Sequence, residues 1–168
     1  MLKKIVSICL VPYALWLIFA YQYHFIDGAN LLFHEAGHSV LIFFGPVINF
    51  LGGTIGQLAF PTVCIVSFLR KNQKFEAAVC GVWFGENMMN IAWYMADAQT
   101  RAIPLVGGGI HDWYWLLSKA GLLAHCKTLA GLVHVLAAFV LIGSVALLFK
   151  QSFLALSDQA EIDSDLSE

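Results

Sequence analysis

The 168 residues are 60% hydrophobic and only 12% charged, with a mean hydropathy of +0.76, against about half apolar and a quarter charged in an ordinary soluble domain. That composition suits a lipid solvent, and a net charge of -2 without a basic, aromatic-interleaved stripe argues against a nucleic-acid partner. Five of the eleven acidic residues fall in the last eleven positions, so only six precede Lys150, and each of those six bears inspection.

Lys3 and Lys4 open the chain ahead of an apolar run over residues 5–20. No small-residue cleavage site follows it, so it reads as an uncleaved first span rather than a signal peptide. The next apolar stretch, residues 31–69, is too long for one helix and divides at Gly45-Pro46, where proline cannot continue helical hydrogen bonding. Helices are expected over 31–44 and 47–69, the second kinked at Pro61. Residues 77–96 and 129–149 are further spans of bilayer length. Between them, 113–123 is too short to cross, and Trp113, Tyr114 and Trp115 suit a helix at the headgroup level.

The expected fold class is therefore all-α, a multi-span transmembrane helix bundle with a re-entrant or interfacial helix. Residues 1–150 form its transmembrane domain, and 151–168 an acidic tail, disordered from Ser157. Membrane lipids are its surroundings and a bacterial inner membrane its expected location. Gly52-x-x-x-Gly56 and Gly81-x-x-x-Gly85 have the spacing that lets two membrane helices approach closely, although glycine is also simply common in such helices. Cys9, Cys64, Cys80 and Cys126 are far apart and form no C-x-x-C pair, so they read as small buried hydrophobes.

Positive charge bears on topology. Lys3 and Lys4 favour a cytoplasmic amino terminus, and Arg70, Lys71 and Lys74 favour the same side. Both hold only if 31–69 makes one net crossing, with part of it re-entrant or interfacial.

The sequence His34-Glu35-Ala36-Gly37-His38 is an H-E-x-x-H motif. Residues four apart share a helix face, so the two imidazoles can converge on one ion, and Glu35 can reach the water that the ion polarises. Zinc brings the acidity constant of such a water to near 7, where a carboxylate can accept its proton and pass it to a leaving amine. The alternative is that the three side chains pair as polar contacts within the bundle. Ionisable groups in an apolar helix cost about 2.5 kcal/mol or more each and mark function by default, which favours the metal.

At this motif the chain resembles the integral membrane zinc metalloproteases of the site-two protease type. The resemblance covers the H-E-x-x-H helix and the many-helix, low-charge character. It implies Zn2+ held by His34 and His38, Glu35 as general base, and hydrolysis of a peptide or membrane-protein substrate within the bilayer. That family takes its third ligand from an L-D-G motif on a later helix, and no L-D-G occurs here.

A catalytic zinc usually has three protein ligands. With one net crossing before Arg70, the run 77–96 returns to the side of the motif, which favours Asp97 or His111 as the third. Asp112 and Glu86 remain as alternatives, the latter if 31–69 crosses twice. Glu86, Asn87 and Asn90 otherwise read as hydrogen-bonding between helices. His24, His125 and His134 read as isolated, and Trp93 and Tyr94 as girdle aromatics. Two other functions fit the same residues: a non-catalytic membrane protein with a structural, sensing or transport metal, and a zinc-dependent lipid or amide hydrolase.

Overall fold

A computed structural model describes residues 1–105 and 109–154. The expected disorder from Ser157 lies outside these residues. The described chain is a helix bundle without strands, in the order α1 (Leu2–Ala20), α2 (Phe25–Leu41), a 3-10 turn (Ile42–Phe44), α3 (Pro46–Arg70), α4 (Lys74–Ala96), α5 (Asp112–Lys119), a second 3-10 turn (Leu123–His125) and α6 (Cys126–Phe149), extended by a π turn over Lys150–Leu154. The break at Gly45-Pro46 falls as expected. Gly45 has φ +88°, a backbone state that L side chains rarely adopt, and Pro46 takes the first helical position of α3, where its missing N–H costs nothing. Helix α3 continues through Pro61.

Among the described residues, three stretches are long and apolar enough to cross a membrane: Leu2–Ala20, Pro46–Arg70 and Leu123–Phe153. Helix α4 has 23 residues, of which twelve are buried, against three on α1, four on α3 and five on α6, so it is the enclosed centre of the bundle. Its glycines set how closely α6 packs. Side chains at Gly81 and Gly85 would collide with Ser144 and Leu141, which confirms the close contact their spacing suggested. Around them Leu17, Val82, Met89 and Leu141 form the main core.

The ends of the bundle are marked by polar contacts. Lys3 Nζ lies 3.5 Å from Glu76 Oε1, and Ser7 Oγ lies 2.7 Å from Ser152 Oγ, so the start of α1, the start of α4 and the end of α6 share one end. Cys126 Sγ near the Ala96 carbonyl ties the start of α6 to the end of α4 at the other. Helices α1, α3, α4 and α6 thus alternate in direction. Lys3, Lys4, Arg70, Lys71, Lys74 and Lys150 gather at the first end, and Arg101, Lys119 and Lys127 at the second. All four cysteines are free; Cys126 is buried, whereas Cys9 is exposed rather than the buried hydrophobe its setting suggested.

Helix α2 is the exception to the alternation. It begins beside His24, whose ring lies 4.0 Å from Glu86, about 18 Å along α4 at 1.5 Å per residue. From mid-bundle it rises to the second end, antiparallel to α3. The two backbones touch: a Cβ on Gly52 would lie 2.8 Å from the Gly37 carbonyl oxygen, and Gly37 and Gly56 have no room for one either. Gly52-x-x-x-Gly56 is therefore a true close-packing site, completed by Gly37 from within the H-E-x-x-H motif.

A candidate metal centre between α2 and α5

Helical spacing puts His34 and His38 on the face of α2 that looks toward α3 and the loop after α4. Their rings are 4.8 Å apart and nearly perpendicular. Asp112, at the start of α5, meets both: its Oδ2 lies 2.9 Å from His34 Nε2 and 3.3 Å from His38 Nε2. His34 is 8% exposed and Asp112 6%. The three form a set whose ligand atoms all lie within 4.8 Å of one another.

The opposite nitrogen of each ring is fixed. His38 Nδ1 lies 2.6 Å from the Asn49 carbonyl, which can only accept, so Nδ1 carries the proton. Asn49 Nδ2 returns a hydrogen bond of 2.9 Å to the His38 carbonyl. His34 Nδ1 faces Gln57 Oε1 at 3.3 Å. The orientation of that amide follows from a chain of donors ending on a carboxylate. Gln57 Nε2 donates to Asn90 Oδ1 (2.8 Å), Asn90 Nδ2 to the Tyr21 hydroxyl (3.0 Å), and the Tyr21 hydroxyl to Asp27 Oδ1 (2.6 Å). Gln57 Oε1 must then accept, and His34 Nδ1 donates. Both imidazoles, when neutral, present a bare Nε2 lone pair to a carboxylate oxygen. Three acceptors then converge on one point, where a cation between them or a second proton on an imidazole satisfies them, and hydrogen-bonded second nitrogens are the usual support of metal-binding histidines.

Packing makes room for this. A side chain at Gly53 would run into the His34 ring. Tyr94 stands on the other side, its ring centroid 6.0 Å from that of His34 and its hydroxyl accepting from the Asp112 backbone N–H at 3.2 Å. Trp115 on α5 stacks on Phe50 of α3 at 4.3 Å, holding α5 against the bundle.

Asp97 and His111 were the expected third ligands, and both lie at the same end as the histidine pair, but neither joins the triad. Asp97 caps α4 and folds the loop after it: Oδ1 accepts from the Thr100 hydroxyl and from Ala102 N (2.9 Å), and Oδ2 from Ile103 N (3.0 Å). Burial would push its carboxyl up, but those hydrogen bonds and His111 hold it below the usual aspartate range. His111 is the N-cap of α5, and its Nδ1 accepts from Tyr114 N at 3.3 Å. Burial pushes the imidazole down against the pull of Asp97 and Asp112, so it is neutral, with its proton on Nε2 pointing toward Asp97 Oδ2, 3.7 Å away. It has no lone pair left to offer. Asp112, one residue on, turns toward the histidines. Glu86 belongs to a different cluster, bonded through Oε2 to Asn30 Nδ2 at 2.8 Å.

The triad opens on a cavity of about 640 Å³ between α2, α3, α4 and the loop before α5, with Glu35, Phe50, Trp93 and Ile110 among its walls. Glu35 is exposed and follows His34 on the helix, so its carboxylate borders the same space as the two Nε2 atoms. Sequence reasoning assigned Tyr94 to the aromatic girdle, whereas it borders the site, and passed over Asn49, Gln57 and Gly53. The polar Gln57 and Asn49 on an otherwise apolar α3 were a signal that could have found two of them. His134 stands apart from the triad, as expected of an isolated histidine, with Nε2 3.0 Å from the Ile18 carbonyl.

Comparison with family models, with curated proteins and with solved structures gave no match.

Proposed function

We propose that this chain is a membrane-embedded, zinc-dependent peptidase, with His34, His38 and Asp112 as metal ligands and Glu35 as general base. The observation that carries the reading is the convergence of a carboxylate oxygen with two imidazole Nε2 lone pairs, the two rings each held from behind, next to a free carboxylate on the same helix. Two histidines and one carboxylate match the donor set of known hydrolytic zinc sites. Zinc would supply a polarised water and a Lewis acid. Glu35 would accept the proton of that water and deliver it to the leaving nitrogen. Asn49 and Gln57 keep both imidazoles in the ligand tautomer. A peptide substrate, rather than a lipid or small amide, rests on the resemblance to the site-two protease type.

Location follows from charge. The end with six basic residues would face the cytoplasm of a bacterial inner membrane by the positive-inside rule, which puts the triad in the outer half of the bundle.

Metal analysis and activity test the reading together. The purified chain is expected to carry zinc that the His34→Ala/His38→Ala variant loses from this site. Glu35→Gln is expected to keep that zinc and lower hydrolysis of peptides bearing an apolar segment by at least about 100-fold. Zinc retention together with undiminished function in Glu35→Gln would favour the non-catalytic metal protein instead.

A further inference from the structure

A second group of ligand-type side chains lies beyond Tyr21. His24 at the return between α1 and α2, Asp27 in the first turn of α2 and Glu86 in the middle of α4 each bring one donor atom within 4.8 Å of the other two. Asp27 is 1% exposed and Glu86 0%. Among the described residues their one ion-pair partner is His24; no lysine or arginine approaches either.

Asp27 accepts from the His24 backbone N–H (2.8 Å) on Oδ2, with His24 Nδ1 2.6 Å from the same oxygen, and from the Tyr21 hydroxyl on Oδ1, which keeps a second lone pair. Glu86 has more to spare. Its Oε2 accepts from Asn30 Nδ2 and, at 3.4 Å, from Asn87 Nδ2, while Oε1 is buried without any partner. Asn30 is itself held by Trp83 Nε1 at 2.9 Å, so the carboxylate is aimed rather than loose. The bare Oε1 faces His24 Nε2 at 4.0 Å. That gap is too long for a hydrogen bond and is one that an ion about 2.0–2.2 Å from each ligand can bridge. Two buried carboxyl groups with no lysine or arginine beside them are a pair that a divalent ion can hold ionised in an apolar bundle.

We propose that His24, Asp27 and Glu86 form a second metal site, separate from the triad on α2 and α5, that takes a divalent cation. One nitrogen and two carboxylates suit Zn2+ or Mn2+. The Tyr13 hydroxyl, 2.8 Å from His24 Nε2, shares that nitrogen and gives it up when the ion enters. The site stands at the far end of the hydrogen-bond chain from Asp27 through Tyr21, Asn90 and Gln57 to His34. A cation here fixes Asp27 as an acceptor and with it the direction of every bond in that chain.

The test uses the full chain in detergent, stripped with a chelator and dialysed against Zn2+ or, separately, Mn2+. With His34→Ala/His38→Ala removing the first site, about one equivalent of one of these ions is expected to remain. Adding Glu86→Gln, or Asp27→Asn, is expected to lower retention at least about tenfold. X-ray absorption on the loaded double variant should find one imidazole and oxygen ligands. No retained ion with either metal, an ion that survives both carboxylate substitutions, or sulfur ligands from Cys64 and Cys80 would each overturn the site; the absorption measurement decides if the carboxylate variants do not fold. Wild type isolates the two readings, since loss of zinc in the double variant concerns the triad alone.

Discussion

Gly53 and His34 face each other across the α2–α3 contact with no space for a methyl group between them. The imidazole position is set by an absent side chain as much as by its hydrogen bond to Gln57. Gly53→Ala should therefore push the ring off its line to Asp112, at an overpacking cost of about 1–3 kcal/mol. The expected result is a folded, less stable protein with weakened zinc binding, measured by thermal melting and metal titration. Unchanged affinity would mean that the ring has another place to stand.

The choice of third ligand is open to a direct comparison. Asp112→Ala should weaken zinc binding by about 100-fold or more, since it removes one of the three proposed ligands. Asp97→Asn should leave stoichiometric zinc in place, because both of its oxygens are taken up by the loop after α4. The reverse ranking in competition with a chromophoric chelator would restore Asp97 as the ligand.

Gln57 touches no ligand atom except the far nitrogen of His34, so its effect must act through the tautomer. Gln57→Leu should lower zinc affinity by about 10–100-fold. Gln57→Glu keeps an acceptor at the same place and should recover much of the loss. Equal losses in both variants would point to packing instead.

Acid should act on the loop through Asp97. Its folded carboxyl titrates below the ordinary aspartate value, so its contribution is complete above about pH 4. It is then lost as pH falls through the lower folded value. Protection of the Ala102 and Ile103 amides from hydrogen exchange should hold down to that range and then drop. Asp97→Asn should show weaker protection already at neutral pH.

The parts of this molecule that were readable from sequence are those governed by local rules. Apolar run length located α1, α3, α4 and α6 within about three residues, Gly45-Pro46 located the break, and helical spacing alone paired His34 with His38. Charge at Arg70, Lys71 and Lys74 correctly brought Asp97 and His111 to the histidines' end of the bundle. What it could not supply was the phase of a short helix. His111 and Asp112 are adjacent, and which of them turns inward depends on His111 serving as N-cap through Nδ1, a contact with the backbone three residues on. His24 was read as isolated, a lone histidine without a partner at ligand spacing, although Asp27 stands three residues on. The fold adds Glu86 from 62 positions away.

The backbone contact of α2 with α3 has a consequence for descent. Side chains between packed helices can trade volume with their neighbours over generations, one growing as another shrinks. Where Gly37, Gly52 and Gly56 let the main chains touch, there is nothing to trade, and Gly53 is held just as tightly by the ring it faces. Exposed positions such as Leu32, Val40 and Val63 can drift among apolar residues without such coupling. Kin of this chain should therefore differ freely over most of their length, while keeping a sparse fingerprint in which four glycines are as informative as the metal-type residues they position.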